Sequence, residues 1–127
     1  MIDKSSIIFT KVKYSVTSLC SSVSTTYQDT PPKFPHLFFD QRDNLTTAED
    51  MDNNENAVIT MIEITTYTKG DSSFSDGKKI HNLSDSCMRA MGFRRTFGPQ
   101  QVTNISDTTI CRVIARYTRI IGSNDTL

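Results

Sequence analysis

The stretch GFRRTFGPQQVTNISDTTICRVIARYTRIIG, from Gly92 to Gly122, decides the fold. It holds two extended β-rich segments, Phe93 to Thr103 and Thr108 to Ile121, with a turn near Asn104 to Asp107. Gly98-Pro99 interrupts the first segment, where glycine supplies a bend or bulge and proline removes a ladder donor. By strand parity Arg112 and Arg116 share one face of the second segment and Arg119 takes the other, and Arg94 and Arg95 alternate in the same way. Six arginines and no lysine lie between Arg89 and Arg119.

Working outward, the segment before Gly92 carries Ile80, Leu83, Cys87, Met88 and Met91 at helical spacing. Ser75 or Asp76 serves as its cap and Gly92 as its C-terminal stop. Asn56 to Tyr67 alternates as a strand, with Val58, Thr60, Ile62 and Ile64 on one face. Ala57, Ile59, Met61 and Tyr67 share the other with Glu63 and Thr65. Both faces are partly apolar, which predicts a central strand. His36 to Asp40 is a short aromatic strand behind the extended Pro31-Pro32-Lys33-Phe34-Pro35 run. Between these strands, Gln41 to Asn56 is polar and acidic and predicts a long loop.

At the N-terminus, Ile8, Val12, Val16, Leu19, Cys20 and Val23 mark one face of a helix over Asp3 to Val23, with Asp3 as N-cap. Its serines and β-branched residues give weak helix propensity, and a strand is the alternative for this segment. The expected order is helix, strand, strand, helix, strand, strand. That order predicts an α+β fold with two helices on one face of a mostly antiparallel four-stranded sheet. The 127 residues suffice for one domain burying roughly two-thirds of its unfolded surface.

Formal net charge is zero, so neither strong nucleic-acid affinity nor polybasic membrane binding follows from the total. No apolar run reaches the ~20 residues of a membrane span, and the N-terminus lacks the apolar stretch of a signal peptide, which predicts a cytoplasmic setting. Cys20, Cys87 and Cys111 have no C-x-x-C spacing and read as reduced core thiols. The Asn-x-Ser/Thr sequons at Asn44, Asn82, Asn104 and Asn124 are expected by chance in a chain so rich in these residues.

Sites of chemistry are sparse. His36 and His81 have no second His or Cys at metal spacing. There is no phosphate-cradling glycine loop and no G-x-S-x-G elbow. Asp50-Met51-Asp52-Asn53-Asn54-Glu55 begins like a calcium loop, but Glu55 stands where glycine is required and Met61 where a bidentate carboxylate is required. Asp40 and Glu63 are conceivable strand-end Mg²⁺ ligands, with no neighbouring lysine or third carboxylate to complete a nuclease. The expectation is no enzyme, no cofactor and no metal site.

The charge pattern is more informative. Asp40 to Glu55 holds six acids against Arg42 alone, a net −5, and Cys87 to Ile121 holds six arginines against Asp107, a net +5. Two opposed blocks can pair within one chain or between copies, and head-to-tail pairing closes into a ring when the rotation allows. An arginine row on a sheet is otherwise a phosphate contact, or a solvated face that deters edge pairing. Aromatic interleaving for bases is thin, at Phe93, Phe97 and Tyr117.

The runs GFRRTFGPQQ and DTTICRVIARYTR resemble the C-terminal hairpin of tail terminator (tail completion) proteins of long-tailed bacteriophages, and the order of elements matches that family's fold. The resembling positions are Gly92, Phe93, Arg94, Arg95, Phe97, Gly98, Pro99, Asp107, Ile110, Arg112, Arg116, Tyr117 and Arg119. The resemblance implies a structural virion protein of the neck, assembled in the host cytoplasm as a homo-oligomeric ring of six. Such a ring stops tail-tube polymerisation, contacts the tail tube protein and docks on a head connector or stopper protein. DNA passes through its lumen without specific binding, and no membrane is involved. The expected interface residues are Arg94, Arg95, Phe97, Arg112, Arg116 and Arg119, with Asp43, Glu49, Asp50, Asp52 and Glu55 as the acidic counterpart. The alternatives are another neck component, a head-completion or stopper protein, and, from a different class, a small nucleic-acid-binding protein or metal-dependent enzyme.

Overall fold

The computed structural model describes residues 2–27, 31–46, 57–70, 73–103 and 107–127. The elements, in order, are α1 (Ser5–Val16), β1 (Ser22–Ser24), β2 (His36–Thr46), β3 (Ala57–Lys69), α2 (Ser73–Ala90), β4 (Arg94–Thr103) and β5 (Ile110–Gly122). Among the described residues these make an α+β arrangement of two helices and one five-stranded sheet ordered β1-β2-β3-β5-β4. β1 runs parallel to β2 and every other pairing is antiparallel. The expected four-stranded sheet is therefore corrected to a mixed sheet of five.

The fifth strand comes from the tail of the expected first helix. Ile8, Val12 and Val16 are fully buried at the predicted i, i+4, i+8 spacing, each contributing roughly 1.5–3 kcal/mol of apolar burial. The helix then stops at Val16 rather than running on to Val23. Cys20 closes the turn with a backbone bond to the Val16 carbonyl at 2.7 Å. The Ser/Thr-rich continuation has too little helix propensity to resist pairing with β2. The cap also differs: Lys4 occupies the N-cap without a side-chain bond, while Asp3 Oδ1 accepts the Ser5 N–H at 3.0 Å.

β2 extends to Thr46, so the first six residues of the expected acidic loop are strand. A register shift between Gln41 and Asp43 permits it. After the shift, Asn44 faces the helices, accepting from the Thr60 hydroxyl at 2.7 Å and donating to the Ile2 carbonyl at 2.6 Å. Residues 47–56, the remainder of the expected loop, lie outside the described residues.

β3 is central, between β2 and β5, as its two partly apolar faces predict. α2 begins at Ser73 and buries Ile80, His81, Ser84 and Met88. It ends in a Schellman motif: Phe93 N–H bonds the Met88 carbonyl at 3.0 Å, Gly92 N–H bonds that of Arg89 at 2.9 Å, and Gly92 sits at φ 85°. Leu37, Phe39, Ile62, Ile64, Ala115 and Tyr117 meet both helices in the main core.

Candidate interaction surface

Both helices pack on the face that carries Leu37, Ile62 and Tyr117, so strand alternation directs the intervening residues to the opposite, helix-free face. Registers across β2, β3, β5 and β4 set these residues in lateral rows. Phe38, Thr65, Ile114 and Gln100 form one row, and Asp40, Glu63, Arg116 and Phe97 the next. Then come Asp43, Met61, Thr118 and Arg94, and finally Leu45, Ile59 and Ile120 at the end of the face.

β4 reaches this arrangement through two register shifts, between Arg95 and Phe97 and between Phe97 and Gln100. The first returns Phe97 to the face of Arg94. The second falls at Gly98-Pro99, where Gly98 takes φ 77°. Phe97 consequently lies beneath Arg116, with the guanidinium carbon 5.1 Å from the ring centroid. Arg116 Nε also donates to Glu63 Oε2 at 2.7 Å, and Arg42 donates to Asp40 at 3.2 Å. Glu63 is 8% exposed, so its charge is tolerated through this short bond.

The expected interface residues separate into three groups. Arg94, Phe97, Arg112, Arg116 and Asp43 share the helix-free face. Arg95 and Arg119 project to the helix face and are held internally: Arg95 donates to Asp85 Oδ1 at 3.0 Å, and Arg119 to Asp125 Oδ2 at 3.5 Å. Glu49, Asp50, Asp52 and Glu55, and with them the calcium-like loop, lie outside the described residues. Among the described residues, neither Arg94 nor Arg112 forms an ion pair, and Arg112 Nε is buried without a hydrogen-bond partner. Among the described residues, Asp43 accepts the Asn44 N–H, at 2.9 Å.

Asp85 is the residue that sequence reasoning missed. From α2 it accepts hydrogen bonds from Arg89 Nε at 2.9 Å, Arg95 at 3.0 Å and the Tyr117 hydroxyl at 2.9 Å. Burial pushes its carboxyl up, but the Arg89 and Tyr117 bonds and the Arg95 charge outweigh burial and leave it below the ordinary value. Burial, and then the bond to Asp85, raise Tyr117. The i, i+4 spacing of Asp85 and Arg89 was a visible signal; Arg95 and Tyr117 reach the same carboxylate only through the β4–β5 register.

The two histidines serve packing. His36 is 3% exposed, with Nδ1 2.7 Å from Ser22 Oγ and Nε2 3.1 Å from Ser24 Oγ, which ties β1 to β2. His81 Nε2 donates to the Val113 carbonyl at 2.9 Å and ties α2 to β5. Burial lowers both. The thiols of Cys20, Cys87 and Cys111 are free. Among the described residues no three His, Cys, Asp or Glu side chains cluster at metal-binding distance, and no helix is long and apolar enough to cross a membrane. Asp40 and Glu63 are lateral neighbours, each engaged by an arginine. The geometry therefore offers arginines, three carboxylates and an aromatic ring on one sheet face, an arrangement suited to protein or polyanion contact.

No protein-family model matches the sequence, and no curated protein matches it.

Proposed function

We propose that this chain is a structural subunit of the phage tail terminator type, which assembles into a six-membered ring, caps the tail tube and docks on the head connector or stopper protein. The observation that carries the reading is the β4–β5 hairpin. It forms one edge of the sheet and presents Arg94, Phe97, Arg112 and Arg116 together on the face opposite α1 and α2. These are among the positions at which the sequence resembles that family. The mechanism is surface complementarity: an arginine-bearing face of one subunit against carboxylates of the next, with DNA passing through the lumen unread.

The test is assembly. Light scattering on the purified chain, alone and with polymerised tail tube protein, should detect a six-membered species, formed either free or on tube ends. Electron microscopy of virions carrying a labelled copy should place the label at the head–tail junction. A label on the tube side of the neck supports the terminator, and one on the connector side favours the stopper alternative. A chain that stays monomeric with and without tubes, and is missing from virions, refutes the reading. Tight, saturable DNA binding by such a monomer would favour the nucleic-acid-binding alternative.

A further inference from the structure

The geometry points to a second copy of this chain as the partner of the helix-free face, packed sheet against sheet about a two-fold axis. The inference does not rest on the ring: a contact of this symmetry closes at two copies and occupies the same face, so a subunit in this dimer has released its ring contact there.

Two observations carry it. The first is the apolar end row, where Leu45 is 56% exposed and Ile120 61% exposed, with Ile59 in register between them. Three large aliphatic side chains in one lateral row of a sheet form a patch, unlike an apolar residue exposed singly. The second is the adjacent row, which is charged at both ends. Asp43 stands on β2 and Arg94 on β4, both exposed and neither ion-paired with another described residue. Three strand spacings, about 14 Å, separate them, too far to pair within one chain.

An axis parallel to the strands and midway between β3 and β5 exchanges the two sides of the face. It sets Asp43 opposite the partner copy's Arg94, and Arg94 opposite the partner copy's Asp43. It lays Ile59 on the other copy's Ile120 and the reverse. In the next row inward it brings Glu63 toward the other copy's Arg116, which extends the existing pair into a square of alternating charge. Packed sheets cross at about 30°, and an arginine side chain spans the offset this creates at the outer strands. The residues are thus self-complementary under one symmetry operation: like charges stay apart, and the apolar row meets itself. The patch is about 19 Å by 20 Å, smaller than the face of a standard specific contact, and implies a weak, transient dimer.

Sedimentation equilibrium of the intact chain between about 5 and 300 µM, in low and physiological salt, should give a monomer–dimer equilibrium that weakens as salt rises. Ile120→Asp should weaken it at least tenfold, with melting temperature and circular dichroism unchanged because the side chain is exposed in the monomer. Asp43→Arg and Arg94→Asp should each be monomeric, since either change alone sets like charges against each other across the axis. Mixed together they should form a heterodimer, because the axis then opposes a guanidinium to a carboxylate at both ends of the row. The double variant in one chain should dimerise again. A monomer at 300 µM, or a dimer unmoved by Ile120→Asp, overturns the inference. So does failure of the two charge variants to associate when mixed. A six-membered species with no dimer would leave the ring reading standing and remove this one.

Discussion

Replacing Asp85 tests how the hairpin is locked to α2. The carboxylate side chain is 17% exposed and takes three donors of unequal standing. Arg89 and Arg95 are 56% and 33% exposed, so each pair contributes about 0–1 kcal/mol. Tyr117 is fully buried, and its hydroxyl left without an acceptor costs about 1–3 kcal/mol. Asp85→Ala should therefore destabilise by about 1–5 kcal/mol, which for a chain of this size lowers the melting temperature by roughly 4–20 °C. The sign of a second substitution makes the test sharp. Tyr117→Phe in the wild-type background should cost about 1 kcal/mol, whereas in the Asp85→Ala background it should recover about 1 kcal/mol by removing the orphaned hydroxyl. The carboxyl sits below its ordinary value of 3.8 in the fold, so its contribution is present above that pH and is lost as pH falls through the lowered folded value. Urea unfolding of the four proteins at pH 7 and again near pH 3 measures both effects. Additive losses from Asp85→Ala and Tyr117→Phe, or an Asp85→Ala penalty that is larger near pH 3 than at pH 7, would refute the account.

His36 and His81 both have folded values lowered by burial, so the unfolded chain binds more protons in acid. Stability should be level above about pH 6.5 and fall below it by up to ~1.4 kcal/mol per pH unit for each histidine; a flat profile between pH 5 and 7 in urea titrations would contradict this. Gly98→Ala should cost about 3 kcal/mol or more, because φ is 77° and an added Cβ would run into the Ile114 carbonyl. Gly92→Ala should cost nearer ~1 kcal/mol, since only the movable Arg119 side chain lies close, at 3.2 Å; equal losses in thermal melts would disprove the distinction. Burial pushes the Cys20 thiol up to about 11, so in the native protein at pH 8 it should react with iodoacetamide far more slowly than an unfolded thiol, and labelling of Cys20 at the unfolded rate would count against its burial.

Much of the frame was legible because the helix-facing residues obey simple periods. Ile8, Val12 and Val16 on α1, Ile80 and Met88 on α2, and Met91 just past its end are core residues at helical spacing. The separation of Arg112 and Arg116 from Arg119 follows from parity on a strand without bulges. β1 was not legible. Ser22-Val23-Ser24 has no pattern of its own and is fixed by a parallel register and the two serine–His36 contacts, all long-range facts. The second half of β2 was hidden for a different reason: Asp43, on the helix-free face, has no need to be apolar, and Asn44, on the helix side, is a polar residue satisfied by Thr60 and the Ile2 carbonyl, so both looked like loop. Gly77, one of the scattered glycines, lies where an added Cβ would meet Val113 and Thr66 at 3.2 Å, marking a close approach of α2 to the sheet that composition cannot reveal.

The charge blocks illustrate why a local sum is a poor guide to pairing. Arg89 and Arg95 bind Asp85, Arg116 binds Glu63, and Arg119 binds Asp125. None of these acids belongs to the acidic block at 40–55; three isolated carboxylates neutralise four arginines because register and helix packing bring them within reach. Once internal pairs are formed, Arg94, Arg112 and Asp43 are left on one face without an ion-pair partner among the described residues. An exposed guanidinium costs little in water, so nothing in the fold's own stability requires Arg94 to be an arginine. Its opposition to Asp43 across four strands has a consequence only when a second surface covers the face, which is why charge reversal there should alter association while leaving the monomer's stability within about 0.5 kcal/mol.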